Sequence, residues 1–142
     1  MENALVSACL LGIACRYDGR SVEYDGILAL REKYNLIPIC PEIYGGLPTP
    51  RIPSERVGER VINREGKDNT ESYVAGAQAA LRLAKLFNCK IAILKERSPS
   101  CGSREIYDGS FEKRLVSGMG ITAELLTKNG IRVISENEIS EL

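Results

Sequence analysis

The chain alternates short apolar runs with stretches whose apolar residues recur every three or four positions. Ala4 to Cys9 (ALVSAC) is an apolar run entering a glycine loop, and it predicts a first strand. From Asp25 to Tyr34, the residues Ile27, Leu30 and Tyr34 fall on one helical face, with Asp25 placed to cap the helix. Leu36 to Cys40 (LIPIC) predicts a second strand. Pro38 inside it cannot donate to a ladder, which puts that strand at a sheet edge. Val74, Ala77, Leu81 and Ala84 repeat at helical spacing, so Glu71 to Phe87 predicts a long helix behind a Thr70 cap. Lys90 to Lys95 (KIAILK) predicts a third strand. Thr122 to Asn129 predicts a short helix closed by Gly130, and Ile131 to Ile134 (IRVI) a fourth strand.

Two stretches lack such periodicity. Pro41 to Asn69 carries Gly45, Gly46, Pro48, Pro50 and Pro53 and reads as a long loop, with a small hairpin over Val57 to Lys67 turning at Glu65-Gly66. Loops this long in a compact domain are usually functional or disordered. Ser98 to Gly109 is a second polar loop, after the third strand. Strands alternating with helices predict an α/β domain over residues 1–142: an open, mainly parallel, Rossmann- or flavodoxin-like sheet with helices on both faces. Right-handed crossovers then gather the strand C-termini on one rim, where such sheets bind ligands.

Charge and composition narrow the partners. The chain has 19 basic and 19 acidic residues among 142, which argues against an unspecific grip on nucleic-acid phosphates. No apolar run reaches the roughly 18 residues of a membrane helix, and no secretory leader opens the chain, so a cytoplasmic protein with no membrane partner is expected. There is no histidine, which excludes Ser-His-Asp and Cys-His catalysis and histidine-ligated metals. Proton transfer falls to carboxylates, Lys, Tyr, Cys or water. The five cysteines are an odd number, so they cannot all pair within the chain. In a reducing compartment, cysteines more often bind metal, act in catalysis or lie buried.

The sheet sorts these cysteines. Cys9 ends the first strand, Cys40 ends the second, and Cys101 lies in the loop after the third. They are separated by 31 and 61 residues, yet all three reach the carboxyl rim. Cys89 precedes the third strand and falls at the opposite end, as a small buried hydrophobe would. Cys15 is on the ligand rim, six residues past Cys9, with its role open. Three converging thiolates without a fourth ligand suggest an iron–sulfur cluster with one iron left open. Zinc is the other soft-ligand option, although no CxxC pair is present, and three unrelated buried cysteines are the plain alternative. Glu42 lies two residues past Cys40, so in extended chain it shares that cysteine's side and suits a general base where no histidine exists. Cys101 sits in Ser98-Pro99-Ser100-Cys101-Gly102-Ser103, whose hydroxyls and amides can bond sulfur, substrate or water, or simply make a turn.

Four segments carry a resemblance: SACLLGIACRYDG (7–19), CPEIYGGLPTPR (40–51), LKERSPSCGSREIYDGSF (94–111) and GMGITAELL (118–126). Over about Val6 to Glu136 the chain resembles a family of small bacterial domains that includes thiouracil desulfidases. The resemblance implies a [4Fe-4S] cluster held by Cys9, Cys40 and Cys101, with one iron not ligated by protein. It implies replacement of the sulfur of a thiolated nucleobase by water, giving uracil and hydrogen sulfide with no net redox change. It also gives Glu42 an acid/base role, assisted by a serine of the SPSC motif, Ser98 in preference to Ser100. Some relatives act on thiolated tRNA through a fused domain; here the neutral charge favours a free thiolated base or nucleoside, of the 2- or 4-thiouracil type. Iron bound to a thiocarbonyl sulfur acts as a Lewis acid, and soft sulfur matches a cluster iron better than magnesium.

Two rivals remain. A cysteine phosphatase needs CxxxxxR after its first strand, but Cys9 and Arg16 have six residues between them, one too many, and position 21 counted from Cys15 is Ser21. A non-catalytic carrier of iron–sulfur clusters or sulfide would use the same three cysteines. Arg51, Arg56 and Arg60 read as a solvated loop face, or as anion binders. Gly118-Met119-Gly120 either presents helix N-terminal amides to a substrate or permits close packing.

Overall fold

The computed structural model of the chain describes residues 1–22 and 24–142. Strands β1 (Glu2–Ser7), β2 (Tyr34–Ile39), β5 (Ile91–Leu94) and β8 (Arg132–Ser135) form one four-stranded sheet in the order β2-β1-β5-β8. Every pairing in it is parallel. Counted along this sheet alone, the order is 2-1-3-4, that of a flavodoxin-like sheet. Strand β2 has only β1 beside it, so Pro38 does lie in an edge strand.

Alternation along the strands builds two cores. Ala4, Val6, Ile91 and Ile93 point to one face, where Ile27 of α1 (Asp25–Ala29) and Leu30 cover them. Leu5, Ala92 and Leu94 point to the other, beneath Ala80 and Ala84 of α3 (Thr70–Leu86) and Ala123 and Leu126 of α4 (Ile121–Lys128). Helices therefore lie on both faces, as the doubly wound pattern requires. Gly130 adopts φ +80° just past α4, the left-handed closure expected of it.

Several elements differ from expectation in their details. The first helix stops at Ala29 and passes through a 3₁₀ turn, Leu30–Glu32. Tyr34 belongs to β2, paired with Glu2, because ladder pairing prevails over the helical spacing that links it to Ile27. The hairpin consists of β3 (Ser54–Val57) and β4 (Arg60–Asn63) and reverses at Gly58-Glu59. Glu65-Gly66 makes a separate turn, held by Asn63 Oδ1, which accepts from the Glu65 and Lys67 amides. Asn69, not Thr70, is the N-cap of α3; the Thr70 hydroxyl instead accepts from the Val61 amide at 2.9 Å. The two supposed loops also contain structure: α2 (Pro41–Tyr44), and a hairpin of β6 (Glu105–Tyr107) with β7 (Leu115–Ser117). Among the described residues no helix is long and apolar enough to cross a membrane.

Candidate active site at the carboxyl rim

Strands β1 and β5 are neighbours, but the chain leaves β1 toward one edge and β5 toward the other. The crevice outside their C-terminal ends is where open parallel sheets hold ligands. Cys9 lies there in a 3₁₀ turn, Ala8–Leu11, directly after β1. Cys40 is the N-cap of α2, directly after β2. Cys101 follows β5 in a turn closed by Gly102 N donating to Ser98 O at 2.9 Å. All three line one cavity of about 410 Å³, together with Cys15, Glu42 and Ser98. Cys89 lies at the far end of β5, buried in the apolar cluster on the α3 face. A larger hollow of about 750 Å³ at the start of α3 has no cysteine in its lining, so the smaller one is the candidate site.

Thiol–thiol hydrogen bonds and burial set the state of three of these thiols. Cys101 is pushed up to about 12 by burial and then by the nearby Glu42 carboxylate, against hydrogen bonds from Ser7 and Ser100. Cys40 is pushed far above its ordinary value by its hydrogen bond with the Cys15 thiol and by burial. The same bond lowers Cys15, but its bond to Cys9 and burial outweigh that and leave it raised. Cys40 Sγ also points at the Cys15 carbonyl, 3.9 Å away. Cys15, Cys40 and Cys101 are therefore held as neutral thiols without a cation, and a metal centre bound through Cys40 and Cys101 must release their protons. Among the described residues no three Cys, Asp or Glu side chains close tightly enough on one point to hold a single metal ion.

Each candidate catalytic residue has a defined place. Glu42 is on α2, with its side chain 13% exposed. Arg51 donates from Nε to its Oε2 at 2.8 Å and pairs with the same oxygen through Nη2. Ser98 Oγ stands 3.5 Å from Glu42 Oε1 and accepts from the Ser100 and Cys101 amides, each at 3.0 Å, so it shapes the turn that presents Cys101. Ser100 is fully buried, with its hydroxyl bonded to Thr122 Oγ1 at 2.8 Å, and it is not part of the cavity wall.

The model of the 2-thiouracil desulfurase family matches residues 4–138. The chain belongs to that family. It is also 43% identical over 148 residues to YbbK of Bacillus subtilis (strain 168), an uncharacterized protein, covering 97% of this chain and 98% of that one. Among solved structures, it is similar to the [4Fe-4S]-dependent thiouracil desulfidase TudS, at 46% identity and a TM-score of 0.95, covering 100% of this chain and 95% of that chain.

Several residues that build this desulfurase-family site escaped the sequence reading. Arg51 is not a solvated loop residue; its side chain is 6% exposed. Arg56 is buried as well, donating to the Met119 carbonyl and the Glu124 carboxylate at 2.7 Å each, and only Arg60 is exposed as expected. Buried Glu96 gathers the cysteine loop, its Oε1 accepting from the amides of Ser103 at 2.8 Å and Arg104 at 3.2 Å. Glu136 supports it by accepting from the Glu96 amide at 2.8 Å and pairing with Lys95 at 3.2 Å. The N-terminal amides of α4 are already used, Ile121 on Pro99 O and Thr122 on Ser100 O, each at 2.9 Å. A Cβ on Gly120 would come within 2.3 Å of the Ser100 carbonyl carbon, so this glycine serves close packing behind Cys101. The only sequence signal for Glu96 was its place in LKERSPSC, one residue past the third strand.

Proposed function

We propose that this chain is a [4Fe-4S]-dependent desulfidase that converts a thiolated nucleobase or nucleoside of the 2- or 4-thiouracil type to uracil and hydrogen sulfide. The observation that carries this reading is the shared cavity: cysteines that follow three strand ends line the same space as the Glu42 carboxylate. The donor set fits the group. Three soft sulfur ligands lining one cavity suit iron and an iron–sulfur cluster. Cys9, Cys40 and Cys101 would hold it, with Cys15 left out so that one iron has no protein ligand. Bound there, the cluster supplies a Lewis acid for the substrate's thiocarbonyl sulfur.

The remaining work falls to the chain's own residues. Replacing sulfur by water at the ring carbon consumes one water, releases one hydrogen sulfide and moves no net electrons. Glu42 Oε1 takes the proton from the attacking water and delivers one to the departing sulfur. Ser98, beside that oxygen, holds the incoming oxygen or relays a proton to a ring nitrogen. A carrier of clusters or sulfide would use the same cysteines but has no need of a carboxylate fixed beside them.

Anaerobic reconstitution followed by a screen of thiolated bases and nucleosides tests the proposal. Protein loaded with iron and acid-labile sulfide should release sulfide from a thiouracil catalytically. A fully loaded protein that releases none would favour the carrier.

A further inference from the structure

Arg51 spends all of its N–H groups inside the protein. A guanidinium has five such donors. Nε donates to Glu42 Oε2 at 2.8 Å. Nη2 serves the same Oε2 and the Cys15 carbonyl, the latter at 3.1 Å. Nη1 serves the Pro48 carbonyl at 3.1 Å and Thr49 Oγ1 at 3.2 Å. The Arg51 amide also donates to the Tyr17 carbonyl at 2.8 Å. Although Arg51 lies on the cavity wall, no donor remains for a substrate anion. Its contacts join three segments: the loop after β1, the α2 helix and its own turn.

The two Glu42 oxygens are left unequal. Oε2 is taken twice by the guanidinium. Oε1 has no guanidinium contact: among the described residues it faces the Ser98 hydroxyl at 3.5 Å, well beyond the usual O–H···O length of about 2.7–2.8 Å, and the Tyr73 side chain lies near the same carboxylate. We propose that Arg51 is a positioning residue: it fixes the Glu42 carboxylate through Oε2 and so assigns Oε1 as the oxygen that exchanges protons in the reaction. This rests on the acid/base role proposed for Glu42. Lysine cannot replace it, because a point charge has neither the paired donors for one carboxylate oxygen nor the reach to three carbonyl and hydroxyl partners at once.

The test compares Arg51→Lys, Arg51→Gln, Glu42→Gln and the double variant Glu42→Gln/Arg51→Gln in reconstituted protein. Iron content, cluster absorption, and kcat and KM for 4-thiouracil are measured. Both Arg51 variants should lose about 10–10²-fold in kcat, the scale of a misplaced catalytic group, with KM and iron content unchanged. The double variant should be no slower than Glu42→Gln alone, because a positioning residue has nothing left to position. The double variant also removes both buried charges together, which guards against the misfolding that one unpaired charge invites. Multiplying losses in the double variant, a raised KM at unchanged kcat, or iron loss in both Arg51→Lys and Arg51→Gln would each overturn the proposal. Full activity in Glu42→Gln would instead bring down the Glu42 role itself, and this inference with it.

Discussion

The contact that sets Cys40 and Glu42 in place is a close approach of two backbones. Gly76, on α3, faces Pro41, the residue between them. A Cβ on Gly76 would lie 1.9 Å from the Pro41 carbonyl oxygen and 2.6 Å from its carbon. The approach is mutual, since a Cβ on Gly45, just past α2, would lie 1.9 Å from Ser72 O. Ordinary contact begins at 3.4 Å, so Gly76→Ala must drive α2 outward by about 1.5 Å, and neither backbone has a side chain that can swing aside. Overpacking costs about 1–3 kcal/mol, but alanine recovers about 1 kcal/mol of helix propensity over glycine. The net cost is about 0–2 kcal/mol, a fall in Tm of at most about 8 °C for a chain of this size. Activity should suffer far more, because a 1 Å misplacement of catalytic groups costs about 10²-fold. The assay is thermal unfolding by circular dichroism alongside iron content and sulfide release from 4-thiouracil. A modest fall in Tm with a loss of about 10²-fold in kcat, or loss of iron, is expected. Wild-type kcat with full iron would refute the claim that this approach positions the site.

Other perturbations separate the remaining roles. Alanine at Cys9, Cys40 or Cys101 should abolish stoichiometric iron binding, while Cys89→Ala and Cys15→Ser should keep it; a large loss in either of the last two would break the ligand assignment. Glu42→Gln should retain the cluster and lose roughly 10²–10⁴-fold in kcat, with a smaller loss for Ser98→Ala, and full activity in Glu42→Gln would remove it from the mechanism. The Arg56 guanidinium beside Glu124 holds that carboxyl below its ordinary value. A lowered carboxylate contributes stability above its unfolded value and loses it as pH falls through the folded one. Glu124→Gln should therefore melt below wild type at about pH 7, with the gap closing toward about pH 3, and a gap of constant size would contradict the ion-pair account.

The convergence of the site was legible because it follows from a topological rule. Apolar runs at Ala4–Cys9, Leu36–Cys40 and Lys90–Lys95 mark strands, and parallel strands must present their C-termini on one rim, so the sequence alone groups Cys9, Cys40 and Cys101 and sets Cys89 aside. What the pattern could not carry was the content of the loops. Arg51, Arg56 and Arg60 look alike in a proline- and glycine-rich stretch, yet two are buried and one is exposed. Burial there depends on partners supplied by the folded loops, Glu42 and the Cys15 carbonyl for Arg51, Met119 and Glu124 for Arg56. Helix α2 escaped because four residues give no helical period to read. The hairpin was misplaced because Gly58 and Gly66 both reverse the chain, and only strand pairing decides which one lies between β3 and β4.

Turnover in ¹⁸O-labelled water tests most directly whether sulfur is removed hydrolytically at a cysteine-held cluster. Reconstituted protein is given 4-thiouracil under anaerobic conditions without an electron donor, and product and sulfide are followed together. Uracil carrying one labelled oxygen, with one sulfide released per uracil, is the result this account requires. Unlabelled uracil, or turnover that depends strictly on an added reductant in fully loaded protein, would contradict it.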